Sequence, residues 1–122
     1  MAIYKEDIAC IDLESGNIFR SFLAYTIGKG DSDANRFGVR AFRNGAAEDL
    51  SGASCQAVFR NAAGVNISLT DTGTVSGNVA YVTLPQACYN VEGQFCLVIK
   101  LIRNGETTTC RIVDGVVCNT GT

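Results

Sequence analysis

The chain contains no histidine and no tryptophan, and it has one proline and one methionine among its 122 residues. Without an imidazole base, a serine or cysteine nucleophile cannot be activated through a histidine-containing triad. Nothing in the sequence titrates near neutrality except the thiols and the α-amino group. We therefore predict that the chain is not an enzyme.

Motifs for metals and phosphates are also missing. The six cysteines form no C-x-x-C pair, which argues against a zinc site. The segment 28–33, GKGDSD, matches neither P-loop nor EF-hand spacing. The neighbouring carboxylates Asp31 and Asp33, and Glu48 and Asp49, lie in turn-like sequence, where acidic side chains are commonly solvated or hydrogen-bonded to the turn. The sequence thus predicts no metal and no cofactor.

Membranes and nucleic acids are unfavoured as partners. No apolar run approaches the roughly 20 residues that span a bilayer. The first seven residues, MAIYKED, lack the basic and apolar regions of a signal peptide, so we expect synthesis in a cytosol. The ten basic residues are scattered and the net charge is −2, which gives little support for a surface that follows phosphates.

What the sequence does contain is a β-rich pattern of the size of one domain. Apolar residues make up 47% of the chain, enough for a packed core. The segment 72–101 holds two alternating runs joined by a crossover that begins at Pro85, and the dipeptides Asn44-Gly45 and Asn104-Gly105 favour tight reversals. About seven or eight short strands with turns every 8–12 residues predict an all-β, antiparallel β-sandwich over residues 1–122, with one short helical crossover near 85–90.

Tyr89 stands just before the strongest predicted strand, 94–102. It could act as a tyrosine corner that ties the crossover to the sheet, or it could be a half-buried aromatic at an interface.

A two-residue loop at Asn104-Gly105 also sets a register for the last two strands. It places Cys110 opposite Ile99, Ile112 opposite Leu97, and Cys96 opposite Val113. Because Cys110 then faces the core and Cys96 faces outward, these two thiols cannot bond to each other. Cys55 shares the face of Ala57 and Phe59 and is also predicted to be buried, whereas Cys88 stays undecided.

Four segments carry a resemblance to a known family. They are 36–40 (RFGVR), 50–56 (LSGASCQ), 72–101 and 111–115 (RIVDG). In order and spacing they resemble the N-terminal domain of the baseplate upper protein family of tailed phages and prophages of Gram-positive bacteria. Similar modules begin proteins labelled head fibres, and the resemblance covers about residues 3–119.

The resemblance implies an immunoglobulin-like sandwich that docks on a virion without catalysing a reaction. Residues 1–122 would then form one virion-attachment domain, made in the bacterial host cytoplasm and located in the virion. Its role would be capsid decoration, a head-fibre anchor or a tail baseplate component, with support for host adsorption. Family members usually continue beyond the position of Thr122, so we expect either a shortened chain or a stand-alone decoration protein.

In related modules, polar residues lie near the positions of three cysteines. This makes Cys10, Cys96 and Cys118 candidate outward thiols. They could form disulfides between chains, or between the two terminal strands, once the particle leaves the cell. The alternative is that they remain unpaired at sheet surfaces or interfaces.

The outer face of the strand 94–102 is a candidate interface, formed by Cys96, Val98, Lys100 and Ile102. The expected partners are other virion proteins of a capsid, tail or baseplate, and further copies of the chain in a homo-oligomer, for which a trimer is one possibility. A carbohydrate- or receptor-binding β-sandwich is the alternative function, although no tryptophan is available as a sugar platform. A secreted disulfide-rich adhesin is a third hypothesis, opposed by the lack of a signal peptide.

Overall fold

The computed structural model describes residues 5–15, 18–20, 22–31, 35–69 and 74–118. In this part of the chain there are eleven strands and one 3-10 helix, Gln86–Tyr89, and no α-helix. The strands are β1 Lys5–Asp12, β2 Ile18–Arg20, β3 Phe22–Gly28, β4 Asn35–Arg43, β5 Ala46–Ala47, β6 Ser54–Arg60, β7 Asn66–Ser68, β8 Thr74–Ser76, β9 Val79–Thr83, β10 Gly93–Arg103 and β11 Glu106–Cys118.

The strands form two sheets that pack face to face. The first sheet has the order β2-β1-β4-β9-β8, with β5 paired to β4, and the second has the order β3-β11-β10-β6-β7. The predicted all-β sandwich is confirmed, and so is the short helical crossover after Pro85. The order also follows immunoglobulin domains, because β4, β9 and β8 take the places of strands B, E and D, while β6, β10 and β11 take those of C, F and G.

The pairing is mixed rather than antiparallel throughout. β1 runs parallel to β4, and β3 runs parallel to β11. The strands also outnumber the predicted seven or eight, because four short ones of two or three residues extend the sheets. Parallel pairs join segments that are distant in the sequence, so turn signals do not reveal them.

The core lies between the inner faces of the two sheets. Side chains alternate along the strands, so that Phe37, Val39 and Ala41 of β4 point into the core that the two sheets share. The rings of Phe59 and Phe95 stack at 4.8 Å. Complete burial of one such large apolar side chain contributes about 1.5–3 kcal/mol.

Tyr89 is a fully buried tie between the crossover and the first sheet. Its hydroxyl donates to the Asn35 side-chain oxygen (2.9 Å) and accepts from the Asn35 backbone N–H (3.1 Å). Asn35 donates onward to the hydroxyl of Tyr25 at 3.4 Å, and Tyr25 donates to Asp7. Tyr89 therefore occupies the place of a tyrosine corner, and its hydroxyl bonds to the start of β4.

The hairpin β10–β11 follows the predicted register only near its turn. Asn104 and Gly105 both have positive φ, 54° and 80°, as a tight two-residue reversal requires, and Cys110 lies opposite Ile99. A shift between Leu97 and Val98 then changes the partners.

Beyond this bulge, two predicted pairings are wrong. Leu97 faces Val113 instead of Ile112, and Cys96 faces Asp114 instead of Val113. The bulge inserts one extra residue into β11, which leaves both Ile112 and Val113 buried.

Candidate docking surface

The outer face of the second sheet contains the predicted interface residues. Cys96, Val98, Lys100 and Ile102 alternate along β10 with buried residues and are each partly exposed. β10 lies between β11 and β6, so both of its edges are hydrogen-bonded within the sheet. A partner at this position would therefore meet side chains and not an open backbone edge.

The surroundings of these four residues are mainly polar. Val98 has one apolar neighbour, Val58 on β6, and Arg111 on its other side. The remaining cross-strand neighbours are Arg60 and Asp114 beside Cys96, Gln56 and Thr109 beside Lys100, and Ser54 and Thr107 beside Ile102. The structure thus shows an amphipathic face with isolated apolar positions.

A groove of about 790 Å³ continues this face at the Cys96 end. It is lined by Arg60, Asn61, Ala62, Gly64, Gln94, Phe95, Cys96, Arg111, Asp114, Gly115 and Val116. Its two cationic side chains come from β6 and β11, on either side of β10. Arg111 donates to one oxygen of Asp114 from Nε (3.0 Å) and Nη2 (2.6 Å), and Arg60 donates to Asn66 at 3.3 Å.

One wall of the groove is a well-defined turn. The side-chain oxygen of Asn61 accepts from the backbone N–H groups of Ala63 (3.0 Å) and Val65 (3.1 Å). The turn also packs closely against the start of β10, because a Cβ on Gly93 would lie 2.7 Å from that of Ala62. The wall is thus positioned by local hydrogen bonds and by a contact that requires glycine.

The opposite end of the sandwich carries a cluster of ion pairs. Arg43 of β4 contacts Glu14 (2.8 Å) and Glu48 (3.0 Å), and Glu48 also contacts Arg103 of β10 at 3.2 Å. Hydrogen bonds from Arg43, and then from Arg103, lower the pKa of the Glu48 carboxyl. Because solvent reaches these groups, each pair contributes little to the stability of the fold.

The carboxylates that the sequence singled out have structural roles where they are described. Glu48 belongs to the ion-pair cluster, and Asp49 accepts from the backbone N–H of Ser51 at 2.9 Å and from its hydroxyl at 2.7 Å. These bonds lower the pKa of Asp49. Asp31 is exposed, and Asp33 lies outside the described residues. No cluster of three or more potential metal ligands occurs in the described ranges.

The six cysteines are free and divide into two groups. Cys55, Cys88 and Cys110 are buried, and desolvation raises their pKa values to about 11, 12 and 11 respectively. Cys10, Cys96 and Cys118 are partly exposed.

The partly exposed thiols lie on both outer surfaces. Cys10 alternates with buried Ala9 and Ile11 on the first sheet, while Cys118 follows buried Val117 on the second. Sheets pack about 10 Å apart and these two side chains point away from each other, so a bridge between the terminal strands of one chain is not compatible with this arrangement.

Sequence reasoning missed the groove itself. Arg60 lies on β6, whereas Arg111 and Asp114 lie on β11. Asp114 reaches the groove only because the bulge places it opposite Cys96. The one available signal was that Arg60 and Arg111 each occupy an outward position on a predicted strand.

No protein-family model matches the chain, and no curated protein matches it significantly. Among solved structures, the fold is similar to the "N-terminal domain of phage TP901-1 ORF48", with a TM-score of 0.52 and 13% sequence identity. The match covers 88% of this chain and 97% of that one. Within the part of the chain that is described, no helix has the length and apolarity needed to cross a membrane.

Proposed function

We propose that the chain is a non-enzymatic structural protein of a bacteriophage particle, an immunoglobulin-like module that docks on the virion and supports host adsorption. The observation that carries this proposal is the fold match, which extends over nearly the whole length of the N-terminal domain of a phage protein. The segments 36–40, 50–56 and 111–115, which resemble a phage baseplate family, support the same assignment.

The docking face in this proposal is the outer face of the second sheet. Val98 and Ile102 supply its apolar contacts. Lys100 is the outward residue between them on β10, and its aliphatic stem adds apolar surface. A small apolar centre within a polar rim is the usual composition of a non-obligate interface. The partners are the capsid, tail or baseplate proteins of the particle.

Further copies of the chain are also partners in this proposal. Virion positions repeat, so a symmetric homo-oligomer, such as a trimer, follows naturally. Cys10, Cys96 and Cys118 then become candidates for disulfides between chains after release from the cell, because thiols that are partly exposed can oxidise there. Non-reducing gels of assembled particles test this part, and monomer bands alone would contradict it.

The carbohydrate-binding alternative gains no support from the aromatic side chains. Tyr89 is buried, Tyr25 is bonded to Asp7, and the ring of Tyr81 is covered by Arg36 at 3.9 Å. Tyr4 lies outside the described residues. Tyrosines in the described ranges therefore do not combine into an open platform for a sugar ring.

A matched pair of variants tests the docking face. Ile102 and Ile8 are both partly exposed isoleucines, on the outer faces of the second and first sheets respectively. We expect Ile102→Asp to weaken binding of the purified chain to particles that lack it by about ten-fold or more, because a carboxylate would be buried at the contact. Ile8→Asp serves as the control and should bind normally in the same co-sedimentation assay.

Unfolding midpoints of both variants show whether either substitution affects the fold. Equal binding of the two variants would contradict the choice of face. Failure of the wild-type chain to bind particles at all would contradict the virion role.

A further inference from the structure

The groove at the Cys96 end brings two guanidinium groups to the surface of three adjacent strands. Arg60 on β6 and Asp114 on β11 are the direct cross-strand neighbours of Cys96, and Arg111 is bonded to Asp114. The groove therefore carries two positive charges and one negative charge, on a chain whose net charge is −2. A local positive excess on an acidic protein attracts anionic groups to this position.

Both guanidinium groups have N–H donors beyond those used in their hydrogen bonds to Asn66 and Asp114. The hydrogen bond from Arg60 to Asn66 uses Nη1, while Arg111 uses Nε and Nη2 toward Asp114. A guanidinium has five N–H donors in a planar fork, so each side chain can also engage a carboxylate. Gln94, exposed at the groove, adds an amide that both donates and accepts.

We infer that this groove binds an acidic polypeptide segment of a neighbouring protein, with a carboxylate side chain held between Arg60 and Arg111. The volume of about 790 Å³ lies in the range of ligand-binding clefts. The mixture of donors and acceptors suits a peptide backbone, which presents both. This inference rests on the proposed docking function, because it names the chemistry of the partner surface beside the β10 face.

Two other ligand classes fit the groove less well. Two guanidinium groups beside one carboxylate do not make the extended basic track that a continuous run of phosphates requires, which disfavours nucleic acid. A sugar would require an open aromatic face, but Phe95 is only 5% exposed and its ring is stacked on Phe59.

The test is an NMR titration of the full chain with the capped peptide acetyl-Gly-Asp-Glu-Asp-Gly-amide. We expect saturable shifts of the backbone amides of 61–64, 94–96 and 111–116 and of the Arg60 and Arg111 side-chain N–H groups. The counterpart peptide acetyl-Gly-Asn-Gln-Asn-Gly-amide should leave these signals unchanged, because the guanidinium groups would no longer meet a charge.

Variants that remove either a positive or a negative charge from the groove sharpen the test. Arg60→Gln and Arg111→Gln should each weaken peptide binding about three-fold or more, whereas Asp114→Asn should strengthen it about three-fold by removing a repulsive charge. Arg40→Gln is the matched control, since Arg40 is an exposed arginine on β4 of the first sheet. It should leave the affinity unchanged.

Three results would overturn the inference: no saturable shift up to about 10 mM peptide, equal shifts with the uncharged peptide, or saturation of the groove by glucuronate at lower concentration than by the acidic peptide. The particle-binding assay separates this from the proposed function. If Arg60→Gln and Arg111→Gln chains bind particles as wild type does, the groove is not used, while docking through the β10 face still stands.

Discussion

The two outer faces of the sandwich are built from similar strands but differ in how their side chains are used. On the first sheet, the guanidinium of Arg36 lies 3.9 Å from the centre of the Tyr81 ring and 3.3 Å from a carboxylate oxygen of Glu6. The Tyr81 ring in turn lies close above Gly38, where an added Cβ would approach it to 3.1 Å. This face is covered by its own aromatic and charged groups.

The second sheet has no comparable cover among its described residues. Ile102 stands between two polar neighbours, and Val98 lies between Val58 and Arg111. Arg60 and Arg111 flank a groove. A face whose interactions are satisfied internally gains little from a partner, whereas a face with apolar side chains and donors at a groove can gain from one. The difference between the faces is the physical basis for proposing that docking uses the second.

The largest effect on the free energy of unfolding is expected from a comparison in which one methyl group is added at a glycine of each sheet. A Cβ on Gly115 would lie 2.1 Å from the backbone oxygen of Tyr25 and 2.8 Å from the Phe95 ring, so β3 and β11 would have to separate. We expect Gly115→Ala to lower the free energy of unfolding by about 3 kcal/mol or more.

The matched substitution Gly38→Ala meets its neighbours at 3.1 Å, which small shifts can relieve. It should cost about 1 kcal/mol, at the lower end of overpacking effects. Urea unfolding of both variants measures the difference, and equal losses would show that the second sheet is not the more tightly constrained of the two.

A smaller effect is expected at the buried tie between the crossover and the first sheet. Tyr89→Phe removes the hydroxyl that bonds twice to Asn35 and leaves buried polar groups without partners. The loss should be about 1–3 kcal/mol. Tyr81→Phe is the control on the outer face, since it keeps the ring under Arg36, and it should change stability by less than about 0.5 kcal/mol. A similar loss in the two variants would contradict a structural role specific to Tyr89.

The bond from Tyr25 in the second sheet to Asp7 in the first should appear as a dependence of stability on pH. Desolvation, followed by the hydrogen bond to Asp7, raises the pKa of Tyr25 from 10 to about 12. Below pH 10 the neutral phenol stabilises the fold fully. As pH rises from 10 to 12, the unfolded chain loses its proton first, and stability falls.

Because burial raises the pKa values of three thiols above 9, they also lower stability as pH rises above 9. Comparing the wild type with Tyr25→Phe isolates the contribution of the phenol. The unfolding free energy of the variant should decline less than that of the wild type between pH 10 and 12. Parallel curves would show that Tyr25 does not titrate with a raised pKa in the fold.

Local signals explain which parts of the structure were predictable from the sequence. The reversal at Asn104 and Gly105 needs positive φ at both positions, and these residue types adopt it readily, so the hairpin was predicted correctly. The position of Tyr89 before the strand 94–102 left two interpretations open, a tyrosine corner or a half-buried interface aromatic. Its partner Asn35 is 54 residues away and could not be read from a local pattern.

The features that depend on long-range geometry were not predictable. The bulge in β11, opposite Leu97 and Val98, has no residue signature in the sequence, and it changed which residue faces Cys96. The parallel pair β1–β4 and the groove join segments that only the fold brings together. The alternation of β10 identified the outward residues, whereas their polar neighbours emerged only with the strand order.

Each outer face carries a partly exposed cysteine, and the two thiols can test directly whether docking uses the second sheet. Cys10 reports on the first sheet and Cys96 on the second, and both are partly exposed in the isolated chain. The decisive measurement is the rate of iodoacetamide labelling, under reducing conditions, in purified particles of the proposed virion. If the second sheet is the docking face, Cys96 should be strongly protected in the particle, and its labelling rate should fall much further below the rate in the isolated chain than that of Cys10. Labelling of Cys96 at its free rate, or protection of Cys10 instead, would contradict the account.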